Sequence, residues 1–321
     1  MITLSRKAKQ FLVAMIKVLI VGGAFYFIYN RVSNEQLDWN RLGDALQNKH
    51  SAWFVFIVLT LTFLNRFLEI LKWQNLASSI KTISFGKATE QVMAALTAGI
   101  FTPNGIGEYA AKSLYYKKNQ AKEIIFLNLI CNGIQLIIAV IIGLAGLVVF
   151  NLLYKVMPAT LLLTLLGIIT AVIILVFLSR KITLKGYSLQ RIFEKVNAIP
   201  ATIHRRNMLL AIGRYMCLVH QHYFIFLAFG VELPYPVMIS VIACVYFLGS
   251  SLPSFQMLDF AVRGSVAVYF FGVLGVNEWI VVLAATLQWL LNIMIPVAIG
   301  SYFVFRFKSE RDNEAIIPHQ E

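Results

Sequence analysis

Apolar residues in this chain come in long runs, not in alternation and not as a single helical stripe. Full-length runs lie near residues 11–29, 52–71, 124–150, 157–178, 207–229 and 278–305. Each approaches the roughly 20 residues a helix needs to cross a hydrocarbon core about 30 Å thick. Two further stretches are shorter and broken. Residues 88–101 stop at Pro103, Asn104, Gly105 and Gly107 and resume as an amphipathic piece to about Lys118; residues 237–252 stop at Pro253, and an apolar piece resumes near Leu258 and runs to Val273. Alternating strands of the outer-membrane barrel type are absent, so helices must satisfy the backbone polar groups of these segments. The pattern predicts an all-α polytopic membrane protein with six crossings and two re-entrant helical hairpins, about eight apolar segments in all. It forms one transmembrane domain over 1–305, followed by a polar cytoplasmic tail over 306–321.

Composition supports that reading. Of the 321 residues, 59% are hydrophobic and only 13% charged, and the mean hydropathy is +0.74; a soluble domain carries about a quarter charged residues. The formal charge of +13, from 28 Lys and Arg against 15 Asp and Glu, sits between apolar segments and not in a basic, aromatic-interleaved domain, so nucleic acid is not expected as a partner. Cys131, Cys217 and Cys244 lie inside apolar stretches without CxxC spacing and read as small hydrophobes, with no metal or cofactor implied. Arg6, Lys7 and Lys9 precede the first run, which no small-residue cleavage site follows, so it reads as a retained helix.

The positive-inside rule orients the segments. Lys72, Lys81 and Lys87 precede the first broken segment and Lys112, Lys117, Lys118 and Lys122 follow it, so that hairpin enters from the cytoplasm. The loop from 179 to 206 carries Arg180, Lys181, Lys185, Arg191, Lys195, Arg205 and Arg206 and is also cytoplasmic. Gly230–Pro236 and Gly272–Glu278, which flank the second broken segment, contain no Lys or Arg, so that hairpin enters from outside. Both termini then lie in the cytoplasm of an inner membrane.

The halves, about 10–150 and 157–305, now repeat one order of parts in opposite orientation: crossing, crossing, hairpin, crossing. Residues correspond at an offset of about 150: Arg66 with Arg214, Pro103 with Pro253, Glu108 to Lys112 with Asp259 to Arg263. Asn128 and Asn132 are spaced like Gln288 and Asn292, four apart and so on one helical face. Inverted repeats with interrupted helices meeting at mid-membrane characterise secondary transporters. Ionisable residues at such depth are costly and are usually functional or paired. Arg66 and Glu69 form either a site or a neutralising pair. Glu108 and Lys112 form either a helix-capping pair or part of an anion site at a helix start, where Asn104, Gly105 and Gly107 let a headgroup approach the backbone. Asp259 and Arg263 repeat that choice from the other face. Arg214, Asn132 and Asn292 complete the substrate-binding candidates. His220 and His222 point to different faces and read as hydrogen-bonded core histidines, as do Asn128, Gln135 and Gln288 as core amides.

No P-loop, HExxH, GxSxG or strand-borne GxGxxG is present, so no enzymatic activity is expected. The stretch Phe101-Thr-Pro-Asn-Gly-Ile-Gly-Glu-Tyr-Ala, preceded by Asn65-Arg66 through Lys72-Trp73, resembles the transmembrane region of lysylphosphatidylglycerol synthases over about residues 10–305. In that family's best-understood members the region is a flippase for aminoacylated phospholipid, and a separate soluble domain attaches the amino acid. The resemblance implies Arg66, Pro103, Gly105, Gly107 and Glu108 at the first-half site. In the second half the usual glycine-rich stretch is replaced by Ser254-Phe255-Gln256-Met257-Leu258-Asp259. The expected function is a flippase moving a phospholipid or lipid-linked headgroup between leaflets. The alternatives are a small-solute or ion transporter, or a non-catalytic membrane partner of a lipid-modifying or glycosyl-transferring enzyme. The sequence leaves the oligomeric state open.

Overall fold

The apolar runs fold as helices whose ends are set by local chemistry. The computed structural model describes residues 51–100, 102–178, 183–184, 187–252 and 255–307. The expected crossing at 11–29, the loop from 30 to 50, Arg180, Lys181, Lys185, the break at Pro253 with Ser254, both termini and the tail from 308 lie outside the described residues. Helix α1 spans Ser51–Ala77, α2 Phe85–Gly99, α3 Ile106–Ser113, α4 Ala121–Tyr154 and α5 Ala159–Leu178. A two-residue antiparallel pair follows, Thr183–Leu184 with Tyr187–Ser188, and then α6 over Leu189–Asn197. The remainder is α7 Ala201–Ala228, α8 Tyr235–Ser251, α9 Asp259–Val273, α10 Glu278–Trp289, a π turn Leu290–Met294 and α11 Ile295–Arg306.

Among the described residues four segments are long and apolar enough to cross a membrane: Trp53–Ala77, Lys118–Tyr154, Ala159–Val176 and Glu278–Arg306. Helix α7, with 28 residues, is about 42 Å long and also reaches, but His204, Arg205, Arg206, Arg214, Gln221 and His222 leave it less apolar than those four. By contrast α2, with 15 residues, is only about 22 Å long and α3 has 8 residues. Neither piece of that hairpin spans alone.

Helix starts follow familiar capping chemistry. The Ser84 hydroxyl accepts from the Lys87 N–H at 3.3 Å to open α2, and the Asn277 side chain accepts from the Trp279 and Ile280 N–H groups to open α10. Pro236 sits in the first turn of α8, where no N–H is missed.

Packing between the two halves is reciprocal. The most extensive contact joins α1 to α7, the expected second crossings of the two halves; the next two join α8 to α4 and α11 to α2. Each hairpin's first helix thus packs on the last crossing of the other half. Helix starts also correspond: α1 and α2 begin at 51 and 85, α7 and α8 at 201 and 235, and both differences are 150. Small residues make the close crossings. Gly143 and Gly146 of α4 lie against the Ser240 and Ala243 backbone of α8, and Gly300 of α11 lies against Met93 and Thr97 of α2. In hydrocarbon, helix association rests on such close packing, because lipid is as apolar as a leucine side chain.

Two apolar cores result. The larger joins α7, α8, α9 and α10 to α4 and reaches Leu162 of α5; the smaller gathers Ile70, Trp73, Val92, Tyr116, Ile124 and Leu127. Within the second, Gln91 Oε1 accepts from Trp73 Nε1 at 2.7 Å and from the Tyr116 hydroxyl at 3.1 Å, which ties α1, α2 and the end of the first hairpin together.

Candidate functional site

The first hairpin turns because of Thr102 and the residues after it. The Thr102 hydroxyl donates to the Gly99 carbonyl at 2.7 Å and accepts from the Gly107 N–H at 2.8 Å. Asn104 and Gly105 adopt left-handed backbone angles, with φ of 49° and 67°, which glycine adopts without strain and asparagine tolerates. A Cβ at Gly107 would press on the Ala98 carbonyl, so α3 can fold back on α2 only without one. This places the carboxylate of Glu108 in the first turn of α3, where the helix dipole favours it.

The tips of the two hairpins touch. Pro103 and Phe255 form an isolated antiparallel bridge, Gln256 Nε2 donates to Glu108 Oε1 at 2.8 Å, and Trp289 Nε1 of α10 donates to the Gln256 carbonyl at 3.1 Å. Each half therefore holds the tip of the other.

Beside this junction lies a cavity of about 360 Å³, at the small end of the roughly 300–1,000 Å³ range of ligand pockets. Its lining includes three guanidiniums, Arg66, Arg214 and Arg263, and three carboxylates, Glu69, Glu108 and Asp259. Glu69 Oε2 accepts from Arg66 at 2.5 Å and from Arg214 at 3.1 Å, so one carboxylate oxygen bridges the two equivalent arginines of α1 and α7. Arg66 also donates to the Asn292 carbonyl. That carbonyl is free because Pro296, four residues on, has no N–H to return, and the helix widens into the π turn just before it. Asn292 Oδ1 accepts from Asn65 at 2.6 Å, and its amide donates to Gln221 Oε1 at 2.9 Å, completing a polar belt across α1, α7 and the π turn. Arg263 pairs with Asp259 at 2.7 Å and lies over the Tyr246 ring at 5.1 Å; its stem packs where Gly249 has no side chain.

Nine of the expected binding residues line this cavity: Arg66, Glu69, Asn104, Glu108, Asn132, Arg214, Asp259, Arg263 and Asn292. Gly105 and Gly107 shape the tip without lining it. Lys112 stands behind the lining, buried, with Nζ on Asn128 Oδ1 at 2.7 Å and 4.4 Å above the Trp73 ring. Its bond goes to that amide and not to Glu108, so the capping pair does not form. The two histidines part company. His220 makes the expected core bonds, to the Met216 carbonyl and the Tyr235 hydroxyl, both 2.8 Å. His222 lines the cavity with neither ring nitrogen hydrogen-bonded.

Residues that sequence reasoning passed over as lining groups are Tyr215, Tyr246, Trp289 and Gln256; Gln135 and Gln288, which the sequence offers as core amides or as parts of a polar path, also line the cavity. Gln288 Nε2 donates to the Tyr246 hydroxyl at 2.6 Å. The available signal was the helical spacing of Gln288 with Asn292; nothing local marks a tyrosine as site or core. Among the described residues no group of three or more His, Cys, Asp or Glu side chains could hold a metal.

Comparison with known proteins agrees with this geometry. The family described as the lysylphosphatidylglycerol synthase TM region matches residues 14–300 of the chain. No curated protein matches it.

Proposed function

This chain belongs to the lysylphosphatidylglycerol synthase transmembrane family, an integral membrane protein by family and by its apolar helices, and from that premise we propose that it is a flippase moving a phospholipid or lipid-linked headgroup between leaflets. The observation that carries the reading is the meeting of two half-crossing hairpins, Pro103 against Phe255, at a cavity lined by six charged side chains. Charge at membrane depth is retained where it does work on a substrate, and hairpins that meet at mid-membrane can open alternately to the two faces.

A lipid is favoured over a soluble solute because the cavity reaches the outer surface. Leu136 and Leu252 line it and are also exposed, at 46% and 38%. A volume of about 360 Å³ suits a headgroup, while acyl chains stay outside in hydrocarbon against Leu136 and Leu252. The proposal places the protein in the inner membrane with both termini cytoplasmic and assigns it no catalytic step. A separate lipid-modifying enzyme would supply any modified lipid.

The test is transbilayer movement of fluorescent neutral, anionic and cationic phospholipids in proteoliposomes, comparing wild type with Glu108→Gln and Arg263→Gln. The expected result is movement of one lipid class in wild type and a loss of about tenfold or more in each variant, as for charge-assisted contacts to a headgroup. Folded wild-type protein that moves no lipid of any class would sink the reading in favour of solute transport or a partner's anchor.

A further inference from the structure

Charge within the buried cluster does not balance. Along the cavity wall three arginines face three carboxylates. Behind the wall stand two more cations. Lys72, 1% exposed, donates to the Cys131 carbonyl at 3.1 Å and to Gln135 Oε1 at 3.2 Å; Lys112, 2% exposed, donates to Asn128 Oδ1 at 2.7 Å. Neither ammonium reaches a carboxylate among the described residues, yet both lie within the electrostatic reach of Glu69, as do Arg66 and Arg214. Five cations against three carboxylates leave an excess of two positive charges. A buried charge without a counter-ion is costly, so this excess favours a ligand that neutralises it.

A second observation shows where the neutralising group sits. Nε of Arg66, of Arg214 and of Arg263, the last in ionic contact with Asp259, have no hydrogen-bond partner, and the same holds for both ring nitrogens of His222, which is 3% exposed. An imidazole carries at least one N–H, so four side chains with unmet donors line one cavity. Guanidiniums are fork-shaped donors matched to carboxylate and phosphate oxygens. Between Arg66 and Arg214 that place is taken by Glu69, which offers both of them one oxygen and leaves their Nε groups unused.

We propose that the cavity selects an anionic phosphate group whose charge no ammonium offsets, seated between Arg66 and Arg214 in place of the Glu69 carboxylate. The inference rests on reading the cavity as a headgroup site and adds the charge class of that headgroup. Glu69 is then a displaceable counter-ion. It neutralises the arginines when the cavity is empty of ligand and yields them when phosphate arrives, so removing it aids binding while removing either arginine impairs it. Arg263 keeps its ion pair with Asp259, on its own helix, through the exchange.

The experiment is thermal unfolding of the purified full chain in neutral detergent, titrated with dihexanoylphosphatidylglycerol, dihexanoylphosphatidylcholine and inorganic phosphate, since a ligand of the native state raises the midpoint with concentration. The expected result is phosphatidylglycerol binding about tenfold or more tighter than phosphatidylcholine, weakened about tenfold or more by Arg214→Gln. Glu69→Gln strengthens binding; a merely structural carboxylate would weaken it. Arg214→Lys, which keeps the charge and gives up the fork, falls between wild type and Arg214→Gln and carries the test where a glutamine variant unfolds. Phosphatidylcholine binding as tightly as phosphatidylglycerol overturns the anionic class and leaves lipid transport standing. Inorganic phosphate binding as tightly as phosphatidylglycerol supports the anion site and removes the case for a lipid. No shift with any of the three, from a chain that unfolds cooperatively, overturns the inference.

Discussion

Gly105 shows how much one position contributes to the site. Its φ of 67° is a left-handed conformation, and a Cβ there would run into the amide of Gln256, the group that holds Glu108 from the other half. Gly105→Ala should therefore cost about 1–3 kcal/mol in backbone strain alone, seen as a lower unfolding midpoint, and should also weaken lipid movement by loosening the junction. Gly86→Ala is the control. Nothing lies within 4 Å of that position and it sits in the first turn of α2, so alanine there should leave both readouts at or above wild type. An equal loss in the two variants would mean that strain at the tip is not what Gly105 relieves. The sequence around Pro103 already announced a turn, because proline and glycine punctuate a helix by themselves. That Gln256 would fill the space above Gly105 was not legible, since it depends on a contact between residues 148 positions apart. The histidines teach the same lesson. His220 and His222 look alike in sequence, and Tyr235, brought over by the start of α8, gives only His220 a hydrogen-bond partner from another helix.

At the scale of elements the hairpins decide how the site works. Each first helix is held by the last crossing of the opposite half, α2 by α11 and α8 by α4, whereas among the described residues the tips are joined by one bridge and one side-chain hydrogen bond. The tips are thus the weak seam of a firmly packed body. If headgroups pass between them, locking the seam must stop transport. Pro103 and Phe255 face each other in the bridge, where partners stand about 4.5–5.5 Å apart between Cα atoms, within the reach of a disulfide. Pro103→Cys with Phe255→Cys, in a chain whose three native cysteines are changed to alanine, should lose lipid movement on oxidation and regain it on reduction. Undiminished movement in the fully oxidised protein would show that the tips stay joined during transport and that the route lies elsewhere. Helix runs and breaks were legible because apolar length and Pro-Gly punctuation are local properties. The π turn was not. Pro296 frees the Asn292 carbonyl in any fold, but that Arg66 takes this carbonyl beside a π turn depends on α1 being packed there.

The whole molecule is organised by exchange between its halves. Equivalent second crossings, α1 and α7, pack on each other, and the arginines they bring, Arg66 and Arg214, meet on one carboxylate. Such reciprocal packing is what a two-fold repeat requires. The correspondence drifts along the chain, from 150 at the starts of α1 and α2 to 157 at the start of the last crossings, where Ala121 corresponds to Glu278 and Gly143 to Gly300. With that drift Asn128 corresponds to Ala285 and not to Gln288, with which its spacing to Asn132 matches it, and the partners of the two amides differ: Lys112 for one, Tyr246 for the other. If the halves are inverted with respect to the membrane, loops that flank their hairpins must face opposite sides. Lys195 of α6, in the basic connection before α7, and Glu232, before α8, are both exposed, and a basic loop is retained in the cytoplasm while a loop free of Lys and Arg is not. In a cysteine-free chain carrying Lys195→Cys or Glu232→Cys, a membrane-impermeant maleimide added to intact cells should label position 232 and not 195; permeabilised cells should show both. Labelling of both in intact cells, or of neither, would put the two loops on one side and break the inverted arrangement. The site would then face a single leaflet, and alternate opening through the hairpin junction would lose its basis.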